Sequence, residues 1–173
     1  AVFDRADAVM LSAESSVGKY PVAAVQMMRA TVLEAQDYQE ELRRPFEVPF
    51  TKPRTAAAIA SAIRQIMTIQ DIAAVVVYTT SGTTARVLAK NRPTCPILAL
   101  SAQSRTVQRC NLYYGVVPRQ IEPPDSVDSL LNQAAQMAKD LGMAARGDRI
   151  IVLAGHTLDT EEGANGLIIE RVR

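Results

Sequence analysis

Residues 72–86 read IAAVVVYTTSGTTAR. The first six are apolar and rich in Val and Ile, with no polar alternation, the pattern of a strand covered on both faces. The rest set Thr79, Thr80, Ser81, Thr83 and Thr84 around Gly82 and run into a helical pattern that continues through Lys90. A buried strand that hands over directly to a helix is the first half of a parallel crossover unit. This stretch therefore predicts a parallel α/β layer. Its turn lies at the C-terminal end of a strand, where open α/β sheets hold ligands.

The flanking sequence repeats the pattern. Upstream, Thr55–Ile69 is alanine-rich with Ile59, Ile63, Ile66 and Met67 on one face, a predicted helix. Downstream, Pro96–Leu100 (PILAL) reads as a second buried strand, Arg105–Leu112 as a helix and Gly115–Pro118 as a third strand. Asp125–Leu141 carries Val127, Leu130, Leu131, Ala134, Met137, Ala138 and Leu141 on one face, with Asp125 as the expected cap and Gly142 as the expected stop. Ile150–Ala154 (IIVLA) is a fourth strand. Gly166–Val172 (GLIIERV) is a fifth, joined by a link too short for a crossover helix, and so expected antiparallel at an edge. Alternating strands and helices predict a three-layer αβα sandwich around a mostly parallel five-stranded sheet.

The N-terminal part is different. Residues 7–11 (DAVML) are a short strand candidate, followed by the loop SAESSVGKYP and a helix from Pro21 with Val25, Met28, Val32 and Ala35 at helical spacing. Pro45, Pro49 and Pro53 then break the chain. One strand and one helix are too little to fold alone, and βα is the repeat of a (β/α) barrel. The expected organisation is one βα unit of a TIM barrel at 1–37, a connector at 38–53 and the sandwich at 54–173. The chain does not open on Met, and it reads as a piece of something longer.

Composition narrows the function. The chain has 173 residues, 48% hydrophobic and 21% charged, with a formal net charge of +1. This describes a globular protein with no field that would draw nucleic acid or membrane, and no apolar stretch reaches the length of a spanning helix. Cys95, Cys110 and His156 cannot supply four zinc ligands, and one histidine leaves no credible Ser-His-acid or Cys-His set. The two cysteines are expected to be structural and reduced, in a cytoplasmic protein.

The hydroxyl turn has a more specific chemistry. The first N–H groups of a helix lack internal partners, and the helix dipole favours an anion there. Gly82 lets backbone approach a ligand, and the hydroxyls add neutral donors. A phosphate fits this set, with Thr79, Thr80, Ser81, Gly82, Thr83 and Thr84 as the candidate binding residues. No GK[ST] follows the glycine, and Gly18-Lys19 is followed by Tyr20, so neither place is a P-loop.

Several ordered motifs carry a resemblance. DAVMLSAESSVGKYPVAAV (7–25) resembles the last strand, loop and helix of the pyruvate kinase barrel, usually DAVMLSGETAxGKYPxEAV, with Ala13, Ser15 and Ser16 as departures. AAVVVYTTSGTTARVLAKNRPTCPILALS (73–101), YYGVVP, GDRIIVLAG and EGANGLIIERV are similar to the landmarks of the pyruvate kinase C-domain. The resemblance implies a C-terminal piece of such a kinase. The parent would transfer phosphate from phosphoenolpyruvate to ADP with Mg2+ and often K+. The family's catalytic residues would lie in other barrel strands, so no catalytic residue and no metal ligand is expected here, and the piece alone is expected to be inactive. Only Ser12 and Glu14 are expected near the barrel mouth.

For the turn, the resemblance implies an allosteric effector phosphate. Family members that respond to fructose 1,6-bisphosphate hold its second phosphate with a Trp and an Arg, whose positions fall here at Pro123 and Leu130. Asp159, Glu161 and Glu162 in the closing loop would repel that phosphate. A sugar monophosphate or AMP is therefore the expected ligand. Self-association through GLIIERV is the further expectation, a tetramer in the parent and a dimer or more for this chain. A stand-alone phosphate-binding domain without kinase activity is the alternative reading.

Overall fold

The computed structural model describes residues 1–41, 54–155 and 164–173, and divides the chain into two units, Ala1–Val48 and Pro49–Arg173. In the second unit the elements are α3 (Arg54–Met67), β1 (Ala74–Tyr78), α4 (Thr83–Asn91), β2 (Ile97–Ser101), α5 (Ser104–Cys110), β3 (Val116–Gln120), α6 (Val127–Asp140), β4 (Arg149–Ala154) and β5 (Gly166–Arg171). The first unit holds α1 (Ala13–Ser16) and α2 (Pro21–Glu41).

The five strands form one sheet in the order β3-β2-β1-β4-β5. Every pairing is parallel except β4 with β5, which is antiparallel from Arg149↔Arg171 to Ala154↔Gly166. The short link before β5 allows only that sense. β1 is central and all five of its residues are buried. Alternate residues along the strands feed two cores. Val75, Val77, Ile97, Ala99, Ile151 and Leu153 pack with Ala60 and Ile63 of α3 and Leu88 of α4. Ala74, Val76, Leu98, Leu100, Ile150 and Val152 pack with Leu130, Ala134 and Ala138 of α6. The predicted three-layer sandwich is what forms.

Residue chemistry explains several borders. Pro118 lies inside β3, an edge strand, where the N–H it lacks is least needed. α6 ends in a Schellman motif, with Gly142 N–H donating to the Lys139 carbonyl, Met143 N–H to that of Ala138, and Gly142 at φ +66°. Its start corrects the sequence reading. The cap is Ser126, whose hydroxyl accepts the Ser129 N–H at 3.1 Å, and Asp125 stands one residue outside. Arg92, in the left-handed region at φ +48°, closes α4 and lays its guanidinium 3.5 Å from the centre of the Tyr114 ring.

The first unit brings a second correction. No strand forms at 7–11, and Met10 is 86% exposed. A strand exists through its ladder, and none of the sheet's pairings involves these residues. The helix does form, and it reaches four residues into the predicted connector. On the predicted face, Met28, Val32 and Ala35 are half-buried and Val25 is exposed. Phe3 meets Tyr38 edge-on, with ring centroids 6.1 Å apart. No helix among the described residues is long and apolar enough to cross a membrane.

Candidate functional site

β1 delivers the chain at Tyr78 into a four-residue turn, and α4 begins at Thr83. The turn is shaped from within. Thr79 is buried, and its Oγ1 accepts the Gly82 N–H at 3.0 Å. Gly82 is the N-cap of α4 at φ +80°, a left-handed conformation that glycine adopts without a Cβ penalty. The Ser81 hydroxyl donates to Thr83 Oγ1 at 3.0 Å and lies 3.4 Å from the Thr83 nitrogen. Helical geometry leaves the amides of Thr84 and Ala85 without intrahelical acceptors.

Thr84 is the unusual member. Its side chain is 3% exposed, yet its hydroxyl makes no hydrogen bond among the described residues. No sealed side-chain polar atom lacks a partner among those residues, so this hydroxyl keeps a small access to solvent at the first turn of α4. Thr80 and Ser81 are exposed, and Thr83 is half-buried. The predicted set therefore divides. Thr79 and Gly82 build the turn, whereas Ser81, Thr83 and Thr84 present hydroxyls at the helix start.

A second layer was missed in the sequence. Thr106 Oγ1 of α5 donates to the Thr80 carbonyl at 2.6 Å, and Arg109 Nη1 donates to the Ser81 carbonyl at 3.2 Å. Cys110 Sγ lies 3.2 Å from where a Gly82 Cβ would stand, with Thr106 Cγ2 at 3.5 Å and Tyr113 Cε2 at 3.8 Å. Residues 106, 109, 110 and 113 follow helical spacing, a stripe that sequence could have offered. Neighbouring parallel strands place their C-terminal turns side by side, which brings this stripe against the turn.

The remaining candidates lie apart. Ser12 and Glu14 are exposed in the first unit. Ser12 N–H donates to Glu14 Oε2 at 2.9 Å, and hydrogen bonds from the backbone N–H groups of Glu14 and Ser12 hold this carboxyl below its ordinary range. Leu130 is fully buried against the sheet and Pro123 is exposed, so neither offers an anion a donor. His156, Asp159, Glu161 and Glu162 lie outside the described residues. Cys95 and Cys110 are both free thiols; burial pushes Cys95 up to about 11 and raises Cys110, against the opposing charge of Arg109. Among the described residues no group of three or more His, Cys, Asp or Glu side chains is placed to hold a metal ion.

Residues 57–170 match the family described as pyruvate kinase, alpha/beta domain. The chain belongs to the pyruvate kinase family. It is 38% identical over 167 residues to pyruvate kinase 2 of Saccharomyces cerevisiae, covering 90% of this chain and 32% of that protein. Pyruvate kinase of Lactococcus lactis is 34% identical over 160 residues, 92% of this chain and 32% of its own length. That of Agrobacterium vitis is 33% identical over 176 residues, covering 99% and 36% respectively. The chain thus spans about a third of the length of these relatives. The sandwich described above is the family's alpha/beta domain.

Proposed function

We propose that this chain is the regulatory, C-terminal part of a pyruvate kinase and that the turn between β1 and α4 binds the phosphate of an effector. The parent enzyme would convert phosphoenolpyruvate and ADP to pyruvate and ATP in the cytoplasm, with Mg2+ and K+ held elsewhere than in the residues described. The chain alone would not carry out that reaction.

One observation carries the effector reading. Thr84 is almost wholly buried at the start of α4, yet its hydroxyl has no partner among the described residues. A hydroxyl with so little access to water gains from an acceptor that reaches it directly. The unpaired amides and the helix dipole make that acceptor an anion. Leu130 and Pro123 supply nothing for a second phosphate, which favours a hexose or pentose monophosphate or AMP over fructose 1,6-bisphosphate.

Calorimetric titration with glucose 6-phosphate, AMP and fructose 1,6-bisphosphate tests the reading. A monophosphate should bind, and Ser81→Ala and Thr84→Val should each remove a charge-assisted bond worth about 1.5–3 kcal/mol. Bisphosphate binding far tighter than either monophosphate, or a Ser81→Ala chain with unchanged affinity, overturns it.

Self-association belongs to the same proposal. β5 is an edge strand and its Ile169 is 40% exposed, a surface that invites a partner strand, with Arg171 as the charge that opposes it. Light scattering at high micromolar concentration should show a dimer or more, and a clean monomer would exclude it.

A further inference from the structure

We infer that Arg109 is a binding residue for the anion held at the β1–α4 turn, supplying from α5 the full positive charge that the turn itself lacks. The inference rests on the phosphate reading of that turn. Residues 79–85 contain no Lys or Arg, so their own donors are hydroxyls and amides with only the partial charge of the helix start. A phosphate monoester carries close to two negative charges at neutral pH. A cation within reach is what separates such a ligand from a neutral one.

Arg109 has the placement and the spare capacity. Its Nη1 donates to the Ser81 carbonyl at 3.2 Å, so the guanidinium contacts the same residue that carries the exposed Ser81 hydroxyl. A guanidinium has five N–H donors, and this bond occupies one. Arg109 makes no ion pair among the described residues, and its side chain is exposed. The planar fork suits two phosphate oxygens at once. The next residue of α5 confirms that this helix packs on the turn: Cys110 Sγ stands 3.2 Å from where a Gly82 Cβ would be. The Thr84 hydroxyl is the independent indication that the first turn of α4 takes a ligand.

The test is titration of the full chain with AMP and with inorganic phosphate at two ionic strengths, followed by calorimetry and by the backbone amide resonances of Gly82 and Thr83. Arg109→Gln should weaken AMP about 10- to 100-fold and flatten the salt dependence, because the screened charge is gone. Arg109→Lys should recover part of the affinity and most of the salt dependence. In the free protein the Gly82 amide, which shares a peptide group with the Ser81 carbonyl, should shift slightly when the Arg109 bond is lost, while the Thr83 resonance should stay in place in both variants. Wild-type binding that Arg109→Gln leaves unchanged overturns the role of Arg109 while leaving the phosphate reading intact. Lost affinity with a displaced Thr83 resonance and no recovery in Arg109→Lys overturns it too, since Arg109 would then only latch the turn. Failure of the wild-type chain to bind either probe removes the phosphate reading and this inference together.

Discussion

The Thr106 hydroxyl donates to the Thr80 carbonyl at 2.6 Å, joining α5 to the β1–α4 turn across 26 residues of sequence. Thr106 is buried, so its hydroxyl has no water to turn to and the bond is made inside the structure. Thr106→Val keeps the shape and removes the donor. Chemical denaturation should show a loss of about 1–2 kcal/mol. Affinity for AMP should fall with it, because the backbone that carries Ser81 loses its brace. Unchanged stability would show that the Thr80 carbonyl finds another partner at no cost.

Gly82 has two separable reasons to be glycine. Its φ of +80° penalises any side chain, by roughly 1–2 kcal/mol. A Cβ would also stand 3.2 Å from Cys110 Sγ, closer than ordinary contact. Gly82→Ala should therefore cost about 2–3 kcal/mol. Adding Cys110→Ala to it should return the contact part and leave the backbone part, so that the double-mutant cycle shows coupling. Strict additivity would mean that the sulfur moves aside freely.

These two residues also show how far the sequence could be read. The sheet was legible because β1, the first four residues of β2 and the last five of β4 are apolar without alternation, the pattern of a doubly covered sheet. The place of β5 followed from the length of the link before it. Residues 7–11 have the same apolar character and form no strand, since pairing is a property of neighbours and not of the segment. The turn was legible as a set of residue types, but not in its division of labour. Nothing in TTSGTT says that Thr79 turns inward to bond Gly82 while Ser81 faces solvent; that follows from the left-handed Gly82 and from α5. The stripe that holds Thr106 and Arg109 could be read from its helical spacing, but not what it bonds, because the partners are loop carbonyls, which carry no side-chain signature.

Cys95 makes stability depend on pH in the alkaline range. Burial raises its thiol to about 11, from an ordinary 9.0. The folded state thus holds this proton more tightly than the unfolded chain does. The contribution is complete below about pH 9 and is lost as pH rises through about 11. Its size should be of the order of 1 kcal/mol, since the residue is only partly buried. Denaturation midpoints of the wild-type and Cys95→Ala chains should converge between these pH values. Parallel curves would assign the thiol an ordinary affinity for its proton.

The start of α6 separates two candidate caps that are adjacent in sequence. Ser126 is in an extended conformation and its Oγ accepts the Ser129 N–H at 3.1 Å. Asp125 has no such bond and is exposed, one residue outside the helix. Its charge still lies near the positive end of the helix dipole, which gives it a small, salt-sensitive benefit. Ser126→Ala should therefore cost about 1 kcal/mol at any salt concentration. Asp125→Ala should cost a few tenths of that, and less in 1 M salt. Because Leu130, Ala134 and Ala138 of α6 form one side of the core, the loss should appear in global unfolding and not as local fraying. Equal losses from the two substitutions, both fading with salt, would mean that the dipole and not the hydroxyl starts this helix.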